Sequence, residues 1–323
     1  MGAAEATAVR AAEAPDEPRR RRPGWFRRHR FEIALVTPLV LYILVLTIAP
    51  IIDTFRRSFS APGTGFGTLK SYQTLFQGWS LTHWTIFERA FFNTLIVALI
   101  SLTLEVSIGL SIALALNVAF RGRGFVRTIM LVPLGVPTIV SGAVMLLIFQ
   151  RSGYLNSVMG LLYSLLDKIP GVHLTWQNIS WQVAGGGRTL LTIAIADMWK
   201  VLPVITLIFL AGLQSIPQDV YEAADVDGAT KWQKFTRVTL PLLIPYFTMA
   251  LILRAIDAFR IFELALVLAG GVEPVMGTYI SQKYLPPVND VYTSSAASIV
   301  LFGIIMVFIV LYLKFVARFQ VQR

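Results

Sequence analysis

The chain has 323 residues, 55% of them apolar and only 14% charged, against about 25% charged in typical soluble domains. A soluble fold of this length has no interior for so much apolar side chain, and a mean hydropathy of +0.67 excludes disorder. Cysteine is absent, three histidines (His29, His83, His173) lie far apart, and the net charge of +10 must be placed along the chain before it means anything.

The N-terminal stretch to residue 30 is rich in Ala, Glu and Arg, and is expected to be a basic tail. Arg27-Arg28-His29-Arg30-Phe31 faintly resembles an export signal. The run after it is a full span with no small-x-small cleavage site, so it reads as an uncleaved first helix. A bilayer core about 30 Å thick needs roughly 20 apolar helical residues. Six runs meet this within residues 31–323, a single transmembrane domain: 33–52, 91–118, 129–150, 189–213, 240–269 and 293–316. Pro133 and Pro137 are expected to kink the third, freeing backbone groups for local polar contacts.

Of the 28 cations, 17 fall in the tail, in the loops after spans two and four, and at the C-terminal end. The other three loops hold 8. The positive-inside rule puts both termini in the cytoplasm, and the charge then needs no nucleic acid to explain it. Arg19–Arg22 reads as a topology-fixing cluster, with a nucleic-acid or anionic-lipid patch as the alternative. Trp79, Trp84, Trp176 and Trp181 sit in the outer loops, where an amphipathic indole prefers the interface with its N–H wet.

The loop after span four, residues 214–239, is the most patterned segment. Ser215 followed by Gln218 fits a capping box, with Pro217 in the first turn. Asp219 and Glu222 lie near the positive end of the helix, and Gly228 suits a left-handed stop. A second helix follows from Ala229. Ala223 and Ala224 form a small face that a partner could approach closely, with Glu222, Asp225 and Asp227 as a charged rim.

Glu222-Ala223-Ala224-(x)2-Asp227-Gly228-Ala229, followed by Trp232, Phe235 and Thr239-Leu240-Pro241, resembles the EAA loop of ABC importer permease subunits of the carbohydrate-uptake group, maltose-permease type. Asn93-Thr94-Leu95, Gly109-Leu110, Arg121-Gly122-Arg123-Gly124-Phe125, Pro133-(x)3-Pro137, Gly153 and Asn156 match as well. Leu268-Ala269-Gly270-Gly271 resembles the signature after span five of the first-type permease, although Val272-Glu273 interrupts its Gly-Gly-Pro. The resemblance implies an all-α integral membrane protein of six transmembrane helices with a cytoplasmic EAA coupling helix, in a prokaryotic cell membrane. It implies three partners: a second homologous permease, a homodimeric cytoplasmic ABC ATPase and an extracytoplasmic sugar-binding protein or lipoprotein. This chain carries no phosphate-cradling G-x-x-x-x-G-K-[ST] motif. ATP and Mg therefore belong to the ATPase, no cofactor is expected on this chain, and it is not expected to be an enzyme.

Ionisable groups at membrane depth default to functional candidates. Span two has Glu105, span four Asp197 and Lys200, and span five Arg254, Asp257, Arg260 and Glu263. Asp197/Lys200 and Asp257/Arg260 are each three apart, so each is expected to neutralise itself on one helix face. Carboxylate, cation and aromatic groups together suit a sugar. Trp199 and Phe259 are the aromatic groups close by in sequence, and the resemblance maps Asp197, Lys200 and Val204, and Asp257, Ala258 and Ile261 with Arg260 adjacent, onto the substrate site. Glu105 reads as structural. A disaccharide such as trehalose or maltose is the expected cargo, with glycerol phosphate second because Lys200 and Arg260 suit phosphate. An ion-coupled secondary transporter and a membrane enzyme are the rivals, and neither explains the Glu-Ala-Ala loop.

Overall fold

The computed structural model describes residues 29–78, 85–169, 175–182 and 186–320, without the side chains of 316–320. The Arg-rich tail up to residue 28, Trp79, His83, Trp84 and His173 lie outside the described residues. The chain divides into two compact units, residues 1–53 and 54–323.

The first unit holds most of α1, Arg30–Ser58. At about 1.5 Å per residue these 29 residues outrun a bilayer core, so the helix is longer than the apolar run inside it. Pro38 sits inside α1, and Leu44–Ile48 widens into a π turn.

In the second unit, α2 (Lys70–Phe76) precedes α3 (Ile86–Asn117). Helix α3 starts five residues before the apolar run because Thr85 and Glu88 form a reciprocal capping box. It packs along α8 (Gly187–Ser215), the other long central helix, with Ala113, Leu116, Ile205, Phe209 and Leu213 buried together at one end. The last helix, α14 (Val291–Gln320), closes the bundle with Ala296 and Ala297 against Phe87 and Met276.

The third and fifth runs differ from the sequence expectation, and proline accounts for the break in the third and for the first of two in the fifth. The third is not one helix over 129–150. It is α4 (Arg123–Met130), α5 (Val132–Gly135) and α6 (Thr138–Phe149), with α7 (Tyr154–Leu166) after a tight turn. The stretch long enough to cross a membrane is Thr138–Leu166. Pro137 pushes the residue before it out of the helical region, and Val136 is extended at ψ 129°.

The fifth run is broken twice. Lys231–Leu242, called α10, meets α11 (Ile244–Phe259) at a 60° bend. Pro241 has no N–H for the carbonyl one turn back, and the turn before it relaxes into a π segment, Phe235–Thr239. Pro245 opens α11 in the first turn, where its missing N–H costs nothing. The second break, Arg260–Phe262, precedes α12 (Glu263–Ala269). Helix α13 (Met276–Tyr284) crosses it through Gly277, where an added Cβ would lie 2.6 Å from the Ile261 carbonyl oxygen. Among the described residues, five helices are long and apolar enough to span a membrane, or six with the bent α10–α11 pair as one. Among the described residues there is no β-sheet, only an isolated bridge between Ala61 and Thr64.

Candidate functional site

Three helices bring their charged groups to one buried point. Glu105 on α3, Asp197 on α8 and Arg254 on α11 are 0%, 6% and 2% exposed. Arg254 donates through Nε to Glu105 Oε2 at 2.7 Å and through Nη2 to Glu105 Oε1 at 2.9 Å and to Asp197 Oδ2. Ser101 Oγ lies 2.8 Å from Glu105 Oε1 and 2.6 Å from Asp197 Oδ2. Charges this deep persist only where partners replace water, so the cluster ties the three helices together.

The local pairs expected from i,i+3 spacing do not form. Asp197 turns to Arg254 instead of Lys200. Lys200 Nζ donates to the Val136 carbonyl at 2.6 Å, an acceptor exposed by the break before Pro137. Asp257 and Arg260 form no salt bridge, because the helix ends at Phe259 and Arg260 already has non-helical angles.

A cavity of about 300 Å³ opens beside the second break in the fifth run. Its walls include Asp197, Lys200, Arg254, Asp257, Arg260 and Glu263, with Ile261 at the break itself. Three acidic and three basic side chains leave it without net formal charge. Three residues expected with this group stand elsewhere. Trp199 packs on the Ile193–Leu264 core, facing away from Asp197 on the same helix. Phe259 is buried against Phe308, ring centroids 5.3 Å apart. Val204 lies a turn further along α8, off the wall. Arg254 and Glu263 are wall residues that were not assigned to the site. Their signal was present: Arg254 is three residues before Asp257, on the same helical face.

The loop between α8 and α10 forms a compact helical corner. Helix α9 (Gln218–Val226) starts after Pro217 without a side-chain cap. Ser215 ends α8, and its hydroxyl donates to the Gly212 carbonyl, so the expected Ser215–Gln218 box is absent. The capping box sits one helix later, where Thr230 and Gln233 open α10. Gly228 has φ 72° and stops α9 as expected, with the Ala229 N–H on the Ala224 carbonyl at 2.9 Å. Lys234 binds Asp225 at 2.5 Å and Tyr221 shares a hydrogen bond with Thr239 at 3.0 Å, locking α9 onto α10. Glu222, Ala223, Asp227 and Gly228 face outward, Ala229 is half-buried, and Ala224 turns in, so the two alanines do not share an exposed face. The most exposed large apolar groups of this corner are Val226 at 88% and Trp232 at 70%.

Asn93 and Thr94 hold the turn after α12. Asn93 Nδ2 donates to Glu273 Oε2 and the Pro274 carbonyl, and the Met276 N–H donates to Thr94 Oγ1. Asn156 pins the segment near Ile179 through both ends of its amide. Trp176 and Trp181 pack on Tyr163 and Phe149, and their indole N–H groups are shielded rather than wet.

Apolar helices of spanning length, a charge cluster buried among three of them and a polar cavity at a broken helix define a multi-pass membrane component of a transporter. Residues 106–323 match the family described as binding-protein-dependent transport system inner membrane component, and the chain belongs to it. It is a permease subunit, a non-catalytic part of an ABC transporter. It is 36% identical over 303 residues to the trehalose/maltose transport system permease protein MalF of Thermococcus litoralis, covering 91% of this chain and 96% of that one. It is 32% identical to the trehalose transport system permease protein SugA of Mycobacterium tuberculosis, covering 88% of each. The fold is similar to a chain of a bacterial alginate ABC transporter solved with an alginate-bound periplasmic protein: TM-score 0.73, 23% identity, 89% of this chain and 94% of that one.

Proposed function

We propose that this chain is one of two permeases of an ATP-driven importer that carries a disaccharide of the trehalose or maltose kind into the cytoplasm. The observation that carries the cargo class is the cavity at the Arg260–Phe262 break. Its acidic and basic walls are balanced, so they offer donors and acceptors without net attraction for an ion. A neutral polyhydroxyl compound suits such walls better than glycerol phosphate, and Lys200 is already engaged by Val136. The names of the two relatives above support the same cargo.

In this reading an extracytoplasmic binding protein delivers the sugar, and a homodimeric ATPase supplies ATP and Mg on the cytoplasmic side. The ATPase grips α9 through Glu222, Ala223, Asp227 and Gly228, with Val226 and Trp232 as apolar anchors. Both termini then face the cytoplasm, the orientation that the cation distribution supports.

The test is ATP hydrolysis by the reconstituted complex with its binding protein across a panel of sugars and glycerol phosphate. Trehalose or maltose should stimulate hydrolysis, and glycerol phosphate should not. Asp257→Ala and Arg260→Ala, whose side chains hydrogen-bond no described residue, should assemble normally and alter the response to sugar. Wild-type saturation in both variants would place the site elsewhere.

A further inference from the structure

We infer that Arg254 and Asp197 form a binding site for one vicinal diol of the sugar, and that Glu105 and Ser101 are the positioning residues that hold it open. The inference rests on the sugar reading above, in which Asp197 is already a wall of the site, and adds Arg254 as its paired donor and Glu105 and Ser101 as their supports.

The hydrogen-bond accounting is asymmetric. Asp197 spends one oxygen, Oδ2, on both Ser101 and Arg254. Its Oδ1 takes no hydrogen bond from any described residue. Arg254 spends Nε and Nη2 on Glu105 and Asp197, while Nη1 donates to no described residue. Both residues are walls of the cavity. A carboxylate acceptor and a guanidinium donor therefore remain side by side on one wall. Adjacent hydroxyls on a sugar ring match such a pair: one donates to Oδ1 and its neighbour accepts from Nη1.

Glu105 is what keeps the donor in place. Both of its oxygens are occupied and it is fully buried, so it has no edge for a ligand. Its two-point grip fixes the guanidinium plane. Without that grip, Arg254 is free to swing onto both oxygens of Asp197, covering Oδ1 and consuming Nη1. Ser101 opposes the same collapse from the Asp197 side by giving its one hydroxyl hydrogen to Oδ2, since Glu105 Oε1 is already held by Arg254 Nη2.

The test uses the assembled complex of both permeases and the ATPase in detergent, without binding protein, so that delivery does not set the affinity. The readout is the rise in melting temperature with added trehalose or maltose, which reports binding to the folded state. Ser101→Ala and Glu105→Gln should raise the half-maximal sugar concentration about tenfold, the loss expected for a hydrogen bond to a charged group. Monodeoxy analogues of the same sugar should bind the wild type more weakly, and one of them should bind Glu105→Gln as well as the parent sugar does. Ser101→Ala keeps the Arg254–Glu105 pair and serves if Glu105→Gln fails to assemble. A lower melting temperature with unchanged sugar affinity in both assembled variants would make the cluster purely structural and overturn the inference. A wild-type complex that responds to no sugar overturns the sugar reading and the diol site together. A wild-type response that the variants share overturns the diol site alone.

Discussion

Asn93 is 6% exposed and gives its amide hydrogens to Glu273 Oε2 at 3.0 Å and the Pro274 carbonyl at 2.9 Å. Removing both donors at once costs the desolvation of two buried acceptors, about 1–3 kcal/mol each where water cannot replace them. Asn93→Leu is expected to lower the melting temperature of the purified complex by several degrees. An unchanged melting curve would show that the turn at Glu273 holds without Asn93. The Asn-Thr-Leu run was visible in the sequence, but its partner was not. Glu273 stood there as an interruption of Gly-Gly-Pro, because its role depends on a side chain 180 residues away. The same distance hid the ion cluster. Spacing rules reach only along one helix, so they paired Asp197 with Lys200, while Arg254 sits 57 residues from Asp197 and 149 from Glu105. The membrane-depth charges were legible as a set; their pairing needed the helix packing.

The breaks in the third and fifth runs do two kinds of work. The break before Pro137 exposes the carbonyl that holds Lys200, and the break at Arg260–Phe262 shapes the cavity. Proline made the first readable from sequence, along with the freed polar group. The second has no proline at all. Its backbone is held from outside, by α13 passing close enough that Gly277 meets Ile261 and Phe262 directly. A Cβ there would also come within 3.1 Å of the Phe262 Cβ, and neither neighbour is the loose end of a flexible side chain. Gly277→Ala is therefore expected to destabilise the complex by about 1–3 kcal/mol, the usual range for overpacking. It should also weaken the response to sugar, because the segment that must shift is a cavity wall. Normal melting with normal sugar-stimulated hydrolysis would show that α13 has room to move. Apolar runs gave the long helices α3, α8 and α14 to within a few residues at most ends, since lipid-facing side chains carry the signal. A helix interrupted by packing leaves no such trace.

At the scale of the whole chain, the candidate coupling loop and the candidate cavity lie on one continuous path. Helix α9 is fixed to α10 by Lys234–Asp225 and Tyr221–Thr239. Helix α10 turns 60° at the fully buried Leu243 into α11, and α11 carries Arg254 and Asp257 to the cavity. A push on α9 moves the cavity wall only if the α9–α10 corner is stiff. Two variants separate grip from stiffness. Gly228→Pro imposes φ near −65° where the turn needs 72°, so it should deform the surface proposed to meet the ATPase and abolish uptake. Tyr221→Phe combined with Lys234→Met leaves Glu222, Ala223, Asp227 and Gly228 in place and removes the two ties. In vesicles containing the full transporter, this double variant should bind the ATPase and hydrolyse ATP, but carry fewer sugars per ATP, about several-fold below wild type. The exposed Lys234–Asp225 pair is worth little to folding by itself, so assembly should survive. A wild-type ratio of sugar to ATP in the double variant would show that the corner is not the transmission element, and sugar-stimulated hydrolysis unchanged in Gly228→Pro would remove the loop from coupling altogether.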